Sequence, residues 1–424
     1  MNNVHFENKK ISRCFFWFIW FVYVVVYMTK NCFSAALASI VYEGAMTKSQ
    51  TGIIMAAFQL VYAPLQLVGG VVADRYDPEK LIKIGLLGGS IANLIIFFNQ
   101  NYYVILVTWI LNAVVQFAVW PSVFKIVSSQ LVKEDRKSAT YFLSFSSVMG
   151  LLFAYFVAAF LTKWEYNFLI SSVSLFVLFV AVHIVTRCVS KYMVPSIVTE
   201  DRTVSDSKVE YVPTLKLFLE SGILILVAVA FIRTLVANSI NTLSATMLME
   251  SYENVSPSLG NILNIFILGA SVMGTVLVKT VLYPKYIKSA PNGMVVMFII
   301  TLAALLLLIL VGNLNIVIAV VMLCVVAGCL NAIFLLTTYC NLRFEKFNKS
   351  GTVAGIINAA SSIGILFSSY GITKLAEVYD WTVDRIIFLV LTAVALFLCC
   401  AMIPFWKRFK KKYHPHALQP LVKN

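Results

Sequence analysis

The sequence predicts an all-α membrane protein with twelve transmembrane helices in two six-helix bundles. Three observations predict it. Of 424 residues, 60% are hydrophobic and 12% charged, with a mean hydropathy of +0.87; a soluble domain of this size needs more polar surface. Apolar runs of the ~20 residues needed to span a hydrocarbon core recur twelve times, at approximately 14–41, 50–72, 81–99, 103–127, 138–162, 166–187, 217–247, 256–281, 291–312, 314–339, 350–374 and 383–406. The cations, finally, fall almost wholly on one side of that arrangement. The runs are continuous and far longer than the ~10-residue alternating strands of a β-barrel, which is excluded.

Taken in order, the first run follows Lys9, Lys10 and Arg13. It is too long for a signal-peptide core, carries Lys30 inside it and lacks a small-residue cleavage site, so it reads as a retained helix. Runs two and three are joined by Gly69-Gly70-Val71-Val72-Ala73-Asp74-Arg75-Tyr76-Asp77-Pro78, whose glycines let the second helix approach a neighbour. Trp120-Pro121 predicts a bend in the fourth run. Residues 188–216 mix charges with Ser, Thr and Pro and form the longest polar stretch. They read as a linker between an N-terminal bundle (1–187) and a C-terminal bundle (217–406), followed by a basic tail (407–424). The other connections are short, so consecutive helices are expected to be antiparallel neighbours. Six helices, a linker and six more suggest two parallel repeats with a site at their interface near the midplane.

With the first residue inside, 27 of the 33 Lys and Arg lie in the N-terminal segment, the even-numbered connections and the tail. Only Lys48, Lys163, Lys374 and Arg385 fall outside. This bias places both termini in the cytoplasm, with a bacterial inner membrane as the expected location. It also accounts for the net charge of +14 as topology, so no nucleic-acid partner is expected. The eight cysteines lie in spans or near their inner ends, so no disulfide framework is expected. The four histidines form no metal-ligand set, and no cofactor is expected.

Lys30 and Arg233 remain. Each lies 16 residues past the start of the run that heads its half, with no acid nearby in sequence. A charge at bilayer depth costs roughly 2.5–3.5 kcal/mol on insertion scales, so each must face a wet cavity, a partner or an anion. Both are candidate substrate ligands. The polar groups Tyr27, Asn31, Asn112, Gln116, Asn238 and Asn241 share those runs, and they serve either the same site or hydrogen bonds between helices. Asp74, with Arg75 and Arg136, is a candidate charge latch at the inner face. Lys125 either draws anions to the inner mouth or obeys topology.

These motifs resemble the major facilitator superfamily, and within it the organophosphate:phosphate antiporter branch. The likeness is carried by Tyr27–Phe33 (YMTKNCF), the DRYDP turn, Gln116-Phe117-Ala118-Val119-Trp120-Pro121, the Lys133-Glu134-Asp135-Arg136 loop, Gly351-Thr352-Val353-Ala354-Gly355 and Tyr379-Asp380-Trp381. The sequence departs from the branch at its site. Lys30 stands where the branch has arginine, the helix-7 arginine aligns with Ala237 one turn beyond Arg233, and the helix-5 histidine aligns with Ser146. A bidentate grip on phosphate is thus partly replaced by a point charge.

No Asp, Glu or His is read at mid-span, which favours exchange or facilitated passage over proton symport. It equally disfavours efflux of cationic drugs. The resemblance therefore implies a transporter of a small organic anion working by alternating access, with organophosphate/phosphate exchange first. Alternatives are a monocarboxylate or sugar-acid carrier and a non-transporting ligand sensor of the same fold. A monomer is expected, and no nucleophile–base pair marks an enzyme. The tail HPHALQPLVKN is too short for a signalling domain.

Overall fold

The computed structural model of the chain describes residues 4–195, 214–282, 285, 289–347 and 349–413. Most of the expected linker (196–213) and the end of the tail lie outside the described residues, as does the side chain of Asp74. The chain divides into two compact units, residues 1–202 with 257–262, and 203–256 with 263–424.

In the first unit, α1 (Lys9–Lys30) and α2 (Cys32–Tyr42) form one interrupted span. They are followed by α3 (Lys48–Arg75), α4 (Pro78–Phe98), the interrupted pair α5 (Tyr102–Gln116) and α6 (Val119–Ser129), α7 (Lys133–Ala159) and α8 (Tyr166–Val189). Local chemistry sets the ends. Asn8 caps α1, and Thr47 with Gln50 closes a capping box on α3. Asp77 followed by Pro78 starts α4.

The second unit has α9 (Thr214–Ser221), α10 (Ile223–Ser251), α11 (Pro257–Leu277), α12 (Ala290–Val311), α13 (Ile316–Asn341), α14 (Ser350–Phe367), α15 (Thr373–Tyr379) and α16 (Trp381–Tyr413). Its α11 begins among the residues grouped with the first unit. Gly222 separates α9 from α10 with φ +72°, a left-handed conformation that favours glycine. Among the described residues, ten helices are long and apolar enough to cross a membrane. The helices α3 and α7, 28 and 27 residues long, occupy the second and fifth predicted runs.

Both units pair their helices in one pattern. In the first, α1 lies on α7, α4 on α8 and α5, and α3 on α5. In the second, α10 lies on α14, and α12 on α16 and α13. Each unit thus sets its first span on its fifth, and its third on its fourth and sixth. The closest approaches coincide as well. A Cβ on Gly150 of α7 would stand 2.5 Å from the Val24 carbonyl oxygen and 2.7 Å from Tyr27 Cβ of α1. A Cβ on Gly364 of α14 would stand 2.6 Å from the Phe231 carbonyl oxygen and 3.1 Å from the Leu235 nitrogen of α10. Real Cβ contacts do not reach such distances, so glycine is what lets the fifth span of each unit lie against the turn that carries its cation.

Two details add to the sequence reading. The fold is not wholly helical, because β1 (Val4–Phe6) pairs antiparallel with β2 (Met193–Pro195). The Phe6 N–H also donates to the Gln130 carbonyl at 2.9 Å. The first residues of the expected linker are therefore bound to the first unit. Second, the fourth span breaks at Phe117–Ala118, just ahead of Trp120-Pro121, where α3 comes close. A Cβ on Gly69 would meet the Phe117 carbonyl oxygen and the Pro121 ring at 3.2 Å, whereas Gly70 has open space.

Candidate functional site

Lys30 is the last residue of α1. Asn31 leaves helical geometry (φ −104°, ψ 3°), and its amide donates back to the Tyr27 carbonyl at 2.8 Å, filling one acceptor that the break uncovers. The interruption turns Lys30 across to α3. There its ammonium donates to Tyr62 Oη at 2.6 Å and stands 4.4 Å from the ring centroid. Gln66 Nε2 donates to the same oxygen at 2.8 Å. Phe58, Tyr62 and Gln66 recur every four residues and so share one face of α3, with Phe58 stacked on Tyr62 at 5.3 Å. A tyrosine hydroxyl has two acceptor lone pairs and one proton. Here Lys30 and Gln66 use both lone pairs, so the proton is left to donate elsewhere. Tyr27 is half-buried, one turn before Lys30, and packs on Tyr23, which packs in turn on Trp120.

Arg233 lies ten residues, about 15 Å, into α10 and about 27 Å from its far end. It is 8% exposed. Its guanidinium donates to Thr234 Oγ1 at 2.7 Å and, at a long 3.4 Å, to the Leu330 carbonyl of α13; it also sits 5.0 Å over the Phe334 ring. Two of its five donors are engaged, leaving capacity for a bidentate partner. Neither Lys30 nor Arg233 pairs with a carboxylate among the described residues.

One turn beyond Arg233, Asn238 Nδ2 and the neighbouring Ser239 hydroxyl both contact Ser368 Oγ, at 3.0 and 2.8 Å. Ser368 opens a π-helical turn, Ser368–Ile372, between α14 and α15. Such turns are rare and gather at functional sites. Asn241 accepts from Asn264 Nδ2 through its carbonyl at 3.0 Å and from the Ser271 hydroxyl through Oδ1 at 3.4 Å.

Asn112 and Gln116 lie one turn apart in α5. Each is fully enclosed, Gln116 Nε2 donates to Asn112 Oδ1 at 2.6 Å within that helix, and Gln116 lies against Gly89 of α4. Asn112 Nδ2 and Gln116 Oε1 are buried without a hydrogen-bond partner among the described residues.

The inner-face residues cap helix ends. Arg136 donates to the Leu131 and Ser129 carbonyls at 2.8 and 2.7 Å, and Lys125 to the Ala73 carbonyl at 2.5 Å, each a cation at a helix C-terminus. Arg75 is exposed in the last turn of α3. The described charge pair at this end is Arg13 with Asp135, two parallel bonds of 3.0 Å. The Arg13 guanidinium holds the Asp135 carboxyl below the usual carboxylate range.

Arg385, counted among the cations on the outer side, is 2% exposed in the second turn of α16. There it donates to Asn313 Oδ1 at 2.5 Å and to Ser251 Oγ at 3.0 Å. Asp384 beside it is also buried, so the chain does hold a sequestered acid that sequence reasoning passed over. That cluster touches the end of α10, about 27 Å along the helix from Arg233. Sequence reasoning also missed Tyr62 and Gln66.

The model of the Major Facilitator Superfamily matches residues 19–369. A stretch of 98 residues is 32% identical to the membrane sensor protein UhpC of Escherichia coli (strain K12), covering 23% of this chain and 22% of that one. A probable hexose phosphate transport protein of Chlamydia trachomatis serovar D is 25% identical over 114 residues, 27% of this chain and 25% of its own. The chain is thus matched over only about a quarter of these relatives' length. A solved structure of a D-xylose-proton symporter superposes with TM-score 0.70 at 12% identity, covering 95% of this chain and 99% of that one. A bacterial homolog of the human lysosomal transporter Spinster, inward-facing and unoccupied, gives 0.68 at 12% identity over 96% and 98%.

Proposed function

The chain belongs to the Major Facilitator Superfamily, and from that premise we propose that this transporter exchanges a small organic anion, foremost a phosphorylated metabolite, for phosphate. The observation that carries the reading is the placement of Lys30 and Arg233. Each is a membrane-depth cation with no carboxylate partner among the described residues, and each is set beside the glycine that joins the first and fifth spans of its unit. Lys30 supplies a point charge, the Tyr62 hydroxyl a donated proton, and Arg233 a planar fork. An oxyanion is the ligand that accepts from each of these groups.

Exchange follows from charge. Without an anion, an ammonium and a guanidinium charge stay uncompensated at a depth where each costs a few kcal/mol, which slows the return of the empty carrier. Binding removes that cost and permits the rocking motion. Asp384 does not supply a proton carrier to this site, being about 27 Å of helix away. The test is counterflow in proteoliposomes. Preloading with inorganic phosphate should accelerate entry of labelled glucose 6-phosphate at least severalfold, and equal entry into empty vesicles would end the exchange reading.

A second reading is a ligand sensor, favoured by the 32% identity to a protein named as a membrane sensor. A sensor would show saturable glucose 6-phosphate binding, with unchanged Arg233 dependence, and no counterflow.

A further inference from the structure

The basic end of the second unit carries a charge arrangement that transport does not use. The helix α16 is 33 residues long, about 50 Å at 1.5 Å per residue, well beyond a hydrocarbon core of about 30 Å. Its last turns are two-faced. Met402, Trp406, Phe409 and Tyr413 are buried, whereas Lys407, Arg408, Lys411 and Lys412 are exposed. The buried four are spaced by four, three and four residues, which makes them a single helical stripe.

An aromatic clamp fixes this orientation. The 3-10 segment Leu342–Phe347 after α13 stacks Phe344 on Phe409 (5.3 Å, 17°) and sets Phe347 edge-on to Tyr413 at 5.3 Å. The helix cannot roll to bring its basic stripe inward without breaking those contacts.

The clamp has an electrostatic cost. It brings half-buried Lys410 near Arg343, and the two charges repel; the other electrostatic neighbour of Lys410 is the Cys340 thiol. Lys412 reaches Glu220 at 2.9 Å, but neither Arg343 nor Lys410 has a carboxylate partner among the described residues. Glu345, the acid of the same segment, has its side chain outside them. Topology alone explains basic residues in number, yet it gives no reason for two of them to be half-buried on segments that the Phe344–Phe409 stack holds together. Leu342, next to Arg343, and Phe405, five residues before Lys410, are exposed apolar side chains, 52% and 42%.

We propose that Arg343, Lys410 and the flanking Lys407 and Lys411 form a binding site for the headgroup of an anionic phospholipid. The phosphodiester sits between Arg343 and Lys410, the acyl chains lie against the apolar exterior, and the headgroup neutralises the repelling pair. The inference is independent of the transported substrate and of the exchange reading.

The experiment uses the purified full chain in neutral detergent, titrated with short-chain phosphatidylglycerol or phosphatidylcholine and followed by thermal unfolding and native mass spectrometry. Phosphatidylglycerol should raise Tm and be retained, whereas phosphatidylcholine should do neither. The double variant Arg343→Gln/Lys410→Gln should weaken phosphatidylglycerol binding about thirty-fold, equivalent to ~1 kcal/mol for each of two charges. Lys163→Gln, an exposed cation elsewhere, should leave it unchanged. If the double variant fails to fold, Lys407→Gln and Lys411→Gln should each weaken binding about fivefold. Three results would overturn the site. These are equal stabilisation by both lipids, equal effect of matched inorganic phosphate, or a Glu345→Gln variant destabilised without lipid, which would make the chain its own counter-charge.

Discussion

Replacing Tyr62 by Phe removes one oxygen and little else. The ring remains to stack on Phe58 and to face the Lys30 ammonium at 4.4 Å. Three interactions end at that oxygen, namely the bonds accepted from Lys30 at 2.6 Å and Gln66 at 2.8 Å and the proton left to donate. The Lys30 bond involves a charged donor, a class worth about 1.5–3 kcal/mol, and Gln66 is exposed and can turn to solvent. Unliganded Tyr62→Phe should therefore lose about 1.5 kcal/mol of stability or more. Donation to a bound oxyanion belongs to the same class, so the dissociation constant for glucose 6-phosphate should rise roughly 10- to 100-fold. Thermal-shift titration reads both quantities, since the ligand-free Tm gives the first and the ligand dependence the second. A variant that binds as tightly as wild type, or more tightly because Lys30 has been released, would refute the claim that Tyr62 presents its proton to the anion.

Gly364→Ala should destabilise by about 1–3 kcal/mol and depress counterflow further than its Tm shift explains, because the new methyl pushes against the turn holding Arg233; normal counterflow from a folded variant would contradict this. Arg233→Lys keeps the charge and loses the fork, so binding should weaken tenfold or more while the circular dichroism is unchanged. Asp135→Asn addresses acid sensitivity. The folded carboxyl titrates below the ordinary carboxylate range because Arg13 pairs with it, so its contribution is present above the unfolded value and lost as pH falls through the folded one. The variant should match wild type near neutrality, as an exposed pair stabilises little, and show a flatter Tm profile below about pH 4. A steeper profile would reverse the assignment.

Lys30 and Arg233 were legible because a charge inside twenty apolar residues has few explanations. Tyr62 and Gln66 were not, since tyrosine and glutamine in α3 violate no local rule and their meaning comes from a lysine 32 positions away. For Asn112 and Gln116 the sequence left a site role and an interhelical role open. Their mutual bond within α5 uses only one donor and one acceptor, and Asn112 Nδ2 and Gln116 Oε1 stay buried and unpartnered among the described residues. The burial of Arg385 was not legible because hydropathy sees its charge but not Asn313 and Ser251, which solvate it from other segments. The six-plus-six order and the bend near Pro121 were carried by local composition. Three-residue strands like β1 and β2 have no such signature, their partner being almost the whole first unit away.

That distance sets an order of events during synthesis. Val4–Phe6 leave the ribosome ahead of Met193–Pro195, to which they bond, by about 190 residues, roughly ten to forty seconds at 5–20 residues per second. The early strand must wait while six helices enter the bilayer. When it finds its mate, the ends of the first unit can be tied while most of the second unit is still to be translated.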